Sequence, residues 1–122
     1  QSSCFVIERT YDYREIKKIA PWPVVISIKI IYLIDRGSGL WVFHKHKDGM
    51  ICHVEMDKNC RGSEAVKKCK QALQWIFDEF KEVNIVYAEI PKENKPACHN
   101  VVRVGFYFTH EEENIRHYEV KR

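Results

Sequence analysis

Residues 59–65 read Asn-Cys-Arg-Gly-Ser-Glu-Ala and directly precede a long amphipathic stretch. The first backbone N–H groups of a helix have no partner inside the helix, and the positive end of the helix dipole lies there. Arg61 adds a positive charge, Gly62 permits close backbone approach, and Ser63 can cap the helix or contact a phosphate. The loop therefore predicts a phosphate site. The alternative is an ordinary helix start that binds nothing, with Glu64 stabilising the dipole.

Two ionisable side chains, His53 and Glu55, lie shortly before this loop. Residues two apart in a β-strand share one face, so both can point toward the same ligand. Either can accept a proton from an amine, directly or through one water, and Glu55 is the preferred candidate base. The alternative for Glu55 is a solvent-facing carboxylate without a catalytic role.

The metal-ligating residue types form no strong motif. His44 and His46 can meet Cys52 and His53 across a hairpin, but the sequence has no Cys-x-x-Cys pair. Two histidines on one strand face are typical surface residues. No cysteine has a recognisable histidine partner for nucleophilic chemistry. We therefore predict neither a metal site nor thiol catalysis.

Hydrophobic patterning predicts the elements that position these residues. Residues 65–80 carry apolar side chains at i, i+4, i+7, i+8 and i+11, which predicts an amphipathic helix whose opposite face, with Lys67, Lys68 and Lys70, is solvated. Leu73, Ile76 and Phe77 on its stripe, and Val86 on the next strand, are predicted core residues. The other predictions are a strand at 3–8, a helix capped by Asp12, a strand or buried helix at 24–34, a hairpin of strands 40–46 and 50–56 joined at 47–49, a strand at 83–90, a helix from Pro96 to Arg103 ended by Gly105, and strands at 106–110 and 115–120.

This order of elements predicts one α+β domain spanning residues 1–122. Strands alternate with helices in the second half, after an antiparallel hairpin. We therefore expect a mixed, mostly antiparallel sheet with helices on both faces.

The order strand, loop, long helix, strand, short helix ending in Gly-Phe resembles the core of the GNAT superfamily of acyl-CoA N-acyltransferases. Residues 90–97, Ile-Pro-Lys-Glu-Asn-Lys-Pro-Ala, followed by Val104, Gly105 and Phe106, resemble its second cofactor motif. The resemblance covers about residues 50–110. More loosely, the chain is similar to short GNAT-like proteins encoded by phages, some of which are described as head-assembly factors.

The resemblance implies acetyl-CoA or CoA as cofactor and an amine acceptor, on a small molecule or a protein. The family's phosphate loop reads Arg/Gln-x-x-Gly-x-Gly/Ala. Started at Arg61, this pattern places Glu64 at the inner glycine and Val66 at the last position. The implied cofactor contacts are Met56, Arg61, Gly62, Ser63, Ala65, Val66, Asn94 and Ala97.

The family's usual proton donor is a tyrosine seven residues after the motif asparagine. Here that position is Val101, which cannot donate a proton. Cys98, His99 and Tyr107 are the possible substitutes. Two functions therefore stay open: an acyl-CoA-dependent N-acyltransferase, and a non-enzymatic interaction or phage assembly protein that keeps the fold.

Bulk properties exclude several classes of protein. The net charge of +3 lacks the concentrated basic character of a nucleic-acid binder. Residues 22–34 are shorter than the roughly 20 residues that span a bilayer. Five cysteines without regular spacing, and no signal-like N-terminus, predict reduced thiols and a cytoplasmic location. We expect no nucleic-acid or membrane partner, and a homodimer stays open.

Overall fold

The computed structural model describes residues 7–122, which form seven strands and three helices. In chain order these are β1 (Glu8–Arg9), α1 (Tyr13–Ile19), β2 (Ile30–Asp35), β3 (Gly39–His46), β4 (Gly49–Met56), α2 (Gly62–Glu79), β5 (Ile85–Pro91), α3 (Lys95–Val104), β6 (Tyr107–Glu112) and β7 (Ile115–Lys121). None of these helices is long and apolar enough to cross a membrane.

All seven strands belong to one sheet, in the order β1-β2-β3-β4-β5-β7-β6. Neighbouring strands are antiparallel except β4 and β5, which are parallel. α2 makes the crossover between these two parallel strands, as a parallel connection requires. The mixed, mostly antiparallel sheet predicted from the sequence is confirmed.

Both faces of the sheet are covered by helices, so alternate residues of β2 and β3 are buried on opposite sides. Ile31 and Leu33 belong to the core under α2 and α3, whereas Tyr32 and Ile34 pack with Ile16 of α1. A strand buried on both faces reads as a continuous apolar run. This explains why the segment 24–34 was compatible with either a strand or a helix: it is a strand from Ile30 onward.

The helix boundaries follow from local signals in the sequence. The Asp12 carboxylate caps α1 by accepting from the backbone N–H groups of Arg14 and Glu15, at 3.0 and 3.2 Å. Gly105 ends α3 at φ 123°, a left-handed backbone that favours glycine. The predicted strand at 3–8 lies mostly outside the described residues, and β1 begins at Glu8.

α2 buries the stripe that its periodicity predicts. Leu73, Ile76, Phe77 and, on β5, Val86 are each less than 10% exposed, which confirms them as core.

Lys68 corrects the prediction of a solvated basic face on α2. Its side chain is only 7% exposed and forms an ion pair with the buried carboxylate of Asp35, at the end of β2. A buried charge needs a partner of opposite sign, and Asp35 is that partner for Lys68. The ion pair connects α2 to the end of β2. Lys67 and Lys70 are exposed, as expected.

Candidate functional site

The parallel strands β4 and β5 separate after a short contact. Their only paired positions are Met50 with Val86 and Ile51 with Tyr87, both near the start of each strand. Toward their C-terminal ends they enclose a cavity of about 570 Å³, which α2 and α3 also border. Ligand sites favour such an opening beyond the carboxyl ends of parallel strands.

The N-terminus of α2 forms one end of this cavity. Arg61, the residue before the helix, makes no side-chain cap, and its Nε donates to the Lys58 carbonyl at 2.7 Å. Gly62 has φ 62°, and a Cβ there would meet no atom within 4 Å. The residue before α2 thus gives the first amides of the helix no side-chain acceptor, and both Arg61 and Gly62 line the cavity.

The structure brings most of the predicted cofactor residues together. Met56, Arg61, Gly62, Ala65, Val66, Asn94 and Ala97 all line the cavity, whereas Ser63 does not. Glu64, which stands where the family pattern has its inner glycine, is exposed and outside the cavity lining.

α3 turns an apolar face toward the cavity. Val101 lines it and is 9% exposed, so the position of the expected proton donor is part of a hydrocarbon wall. Cys98 and His99 border a separate groove on the other side of α3. Tyr107 lies on β6 and donates to Glu119 Oε2 at 2.8 Å, away from the cavity lining. The structure thus brings none of the three possible substitutes to the cavity.

His53 lies where this cavity meets a second groove on the α1 face. That groove, about 320 Å³, is lined by apolar side chains including Tyr32 and Val42, and by His44. His53 and Trp22 line both spaces, with their ring centroids 6.3 Å apart. A ligand in either space can therefore contact the His53 imidazole.

The environment of His53 favours its neutral form. The side chain of His53 is exposed, and its ring lies 6.3 Å from that of Trp22 and stacks on that of His44 at 5.4 Å, with Nε2 of the two histidines 3.4 Å apart. Desolvation lowers the pKa of His53 below its ordinary value of 6.5, and the neighbouring His44 lowers it further. A neutral imidazole at this junction can accept a proton at neutral pH.

Glu55 shares the His53 face of β4, but it does not line the cavity; its position is opposite Leu40 on β3. Glu89 of β5 does line it and escaped the sequence analysis. Its carboxylate lies 3.8 Å from His46 Nε2 and 3.6 Å from His117 Nδ1. The sequence feature that could have identified Glu89 is its position as the one charged residue of an otherwise apolar β5.

Three cysteine thiols line the cavity on its helical side. Burial raises the pKa of Cys52, Cys60 and Cys69 above the ordinary thiol value. Trp41 Nε1 also lies 3.4 Å from Cys69 Sγ. These thiols are therefore protonated at neutral pH and contribute apolar surface to the cavity wall. They are also unreactive, because the thiolate is the reactive form of cysteine.

Solved structures of N-acetyltransferases share this architecture. PseH of Campylobacter jejuni, solved with acetyl coenzyme A, superposes with a TM-score of 0.74 at 15% identity, over 96% of this chain and 99% of that one. A variant of the spermidine N-acetyltransferase SpeG of Vibrio cholerae gives 0.76 at 14% identity, over 96% and 93%. A GNAT-family acetyltransferase of Bacillus anthracis gives 0.63 at 18% identity, over 80% and 68%.

The chain has the GNAT fold. At these identities the likeness establishes the fold and not the activity. No family model matches the chain. A stretch of 39 residues, 30% of this chain, is 38% identical to the cytochrome c-type protein Cgr1 of Eggerthella lenta and covers 18% of that protein's length. So short a match within the GNAT fold assigns no function.

Proposed function

We propose that this protein is an acyl-CoA-dependent N-acyltransferase that uses the cavity between β4 and β5. The observation that carries the proposal is the continuity of this cavity with the uncapped N-terminus of α2. CoA carries an anionic pyrophosphate and an extended pantetheine arm, and the helix N-terminus and the long cavity of this site match these two parts of the ligand. The likeness to PseH, a GNAT fold that holds acetyl coenzyme A, supports the same ligand here.

In this proposal the pyrophosphate of CoA lies at Arg61 and Gly62, where backbone amides and a guanidinium can bind it. The pantetheine arm passes between the splayed strands, along Val101 and Val104 of α3. Its acyl end reaches the junction at His53. The amine acceptor enters from the apolar groove on the α1 face.

Acyl transfer at this junction needs one proton acceptor and little else from the side chains. The neutral acceptor amine attacks the thioester carbonyl carbon; a C–N bond forms, and the C–S bond breaks. Attack makes the amine nitrogen cationic, and we assign the proton that it loses to His53, directly or through one water. The departing thiolate takes a proton from solvent, because Val101 supplies none, and His53 returns its proton to solvent, so no net proton is gained or lost. Orientation of the two reactants provides most of the acceleration.

Calorimetric titration with acetyl-CoA and CoA tests the cofactor site before any acceptor is known. We expect both to bind, and Arg61→Ala to weaken binding by about 1–3 kcal/mol through loss of a charged hydrogen bond. Lys70→Ala is the matched control, because it removes one positive charge from an exposed position on the same helix, outside the cavity lining. Equal losses in the two variants, or no binding at millimolar ligand, would refute the site.

Thiol release from acetyl-CoA, followed with polyamines, peptides and aminoglycosides, tests transfer itself. We expect slow turnover with at least one class of amine. If the protein binds the cofactor but turns over no amine, the enzyme hypothesis is rejected. The alternative, an interaction or assembly protein that retains a ligand site, then takes its place.

A further inference from the structure

The β6–β7 hairpin gathers two histidines and a carboxylate on one face, outside the proposed acyl-transfer site. The candidate ligand atoms of His110, Glu112 and His117 all lie within 4.8 Å of one another. The two imidazole rings stack with their centroids 4.2 Å apart, and His110 Nε2 lies 3.9 Å from a Glu112 carboxylate oxygen. Two imidazoles and a carboxylate are a ligand set that zinc and similar ions prefer.

A bulge in β6 creates this arrangement. Phe108 pairs with Tyr118, but the next pair is His110 with His117, so Thr109 is the extra residue. Without the bulge His110 would lie opposite Arg116, whose positive charge opposes a metal ion. The bulge brings His110 directly opposite His117, and Glu112, two residues further, shares the face of His110.

A hydrogen bond at His110 and a nearby carboxylate at His117 favour the tautomers that leave both Nε2 atoms free for a metal ion. The Thr109 hydroxyl donates to the His117 carbonyl at 3.1 Å and lies 3.0 Å from His110 Nδ1. A hydroxyl has one proton, so it accepts from Nδ1–H of His110 and leaves the Nε2 lone pair free. The Glu89 carboxylate, 3.6 Å from His117 Nδ1, favours the proton on that nitrogen too. Both Nε2 atoms are then available as ligands.

We propose that His110, His117 and Glu112 bind a divalent transition-metal ion, with water completing its coordination. Zinc–nitrogen bonds of about 2.1 Å place tetrahedral ligands about 3.4 Å apart, so the ligand atoms approach one another by up to about 1.4 Å. The two stacked imidazoles also turn out of their parallel planes, so that both nitrogen lone pairs point at the ion. His110 and Glu112 have side chains 51% and 71% exposed and are free to make this movement. The bound ion joins the two strands of the hairpin. None of the three ligand side chains lines the cavity between β4 and β5.

Titration of the untagged, reduced protein with ZnCl₂, followed by calorimetry, tests the proposal. We expect one site of micromolar affinity, weakened at least tenfold in His110→Ala and in His117→Gln. Thr109→Val retains all three ligands and removes the tautomer selection, so we expect a loss of about tenfold there as well. His99→Ala is the control, because His99 is exposed on α3 and outside the cluster.

Cobalt substitution separates this site from the cysteines. Co²⁺ bound by nitrogen and oxygen gives visible ligand-field bands without the near-ultraviolet charge transfer of a thiolate ligand. Zinc affinity unchanged in both histidine variants, a thiolate band in the cobalt spectrum, or no binding below about 100 µM zinc would overturn the proposal. Melting curves without metal identify any variant that has lost its fold, and Thr109→Val then provides the decisive comparison.

Discussion

At the scale of single residues, His53 is the side chain on which the proposed chemistry depends. It is shared by the cavity between β4 and β5 and by the groove on the α1 face. Desolvation and the neighbouring His44 lower the pKa of His53 below 6.5, so the imidazole is neutral at pH 7. Glu55, the base preferred from the sequence, lies two residues further along β4 and outside both linings. These placements favour the imidazole as proton acceptor.

His53→Gln removes this acceptor at nearly constant size, and we expect turnover to fall about 10²–10⁴-fold. In the unmodified protein, kcat/KM falls as pH decreases through a pKa below 6.5, because protonated His53 cannot accept a second proton. Steady-state rates between pH 5 and 8 measure both effects. Glu55→Gln is the control; a larger loss in this variant than in His53→Gln would return the base to Glu55.

The lowered pKa of His53 also makes the free energy of unfolding depend on pH. The unfolded chain binds the His53 proton at a higher pH than the folded chain does. Protonation of His53 therefore favours the unfolded chain, and the free energy of unfolding decreases as the pH falls below about 6.5. The difference in stability between pH 7 and pH 5 is accordingly smaller in His53→Gln.

At the scale of elements, Gly49 allows β4 and β5 to approach each other at the end where they pair. A Cβ at this position would lie 2.1 Å from the Ile85 carbonyl oxygen and 2.5 Å from Ile85 Cγ2. No residue other than glycine fits here without moving the β5 backbone. The contact that sets the apex of the gap thus requires glycine at this position.

We expect Gly49→Ala to lower the free energy of unfolding by about 2–3 kcal/mol, because overpacking against backbone cannot relax by a rotamer change. Urea denaturation measures this change. Gly37→Ala is the comparison: it has φ 86° but open space around a Cβ, so only backbone strain of about 1 kcal/mol applies. A smaller effect at Gly49 than at Gly37 would contradict the steric argument.

At the scale of the whole molecule, Arg122 joins the last strand to the end of the long helix. Its guanidinium donates to the carbonyl oxygens of Phe77, Phe80 and Val83 at 2.6–2.8 Å. The last turn of α2 contains no basic residue of its own. A cation at a helix C-terminus is stabilising, and here β7 supplies it across the fold.

Arg122→Ala leaves three helix-end and loop carbonyls without this donor, so we expect a loss of about 1–3 kcal/mol and a lower Tm. Differential scanning calorimetry provides the measurement. Lys81→Ala is the control, since Lys81 is an exposed cation in the same loop. If both variants melt at the same temperature, the carbonyl contacts of Arg122 contribute no net stability.

Much of the architecture was predictable because it depends on local patterns. The apolar stripe of α2, the Asp12 cap and the Gly105 terminator each act within a few residues, and all appear as predicted. The residues Arg61 and Gly62 lie at the start of α2, as the sequence indicates, and their role as a phosphate site stays a prediction. The mixed sheet and its two covered faces were predictable as well, because they follow from the order of the elements.

Only the tertiary structure decided which side chains meet. Lys68 reads as a surface residue until Asp35, 33 positions earlier, pairs with it in the core. Glu89 reaches the cavity because β4 and β5 diverge after two pairs, and His110 meets His117 because of one bulged residue. Strand register is a long-range property, and a shift of one residue changes every partner across a strand pair. Periodicity assigns the two faces of a strand, but it does not identify which residue of a distant strand lies opposite.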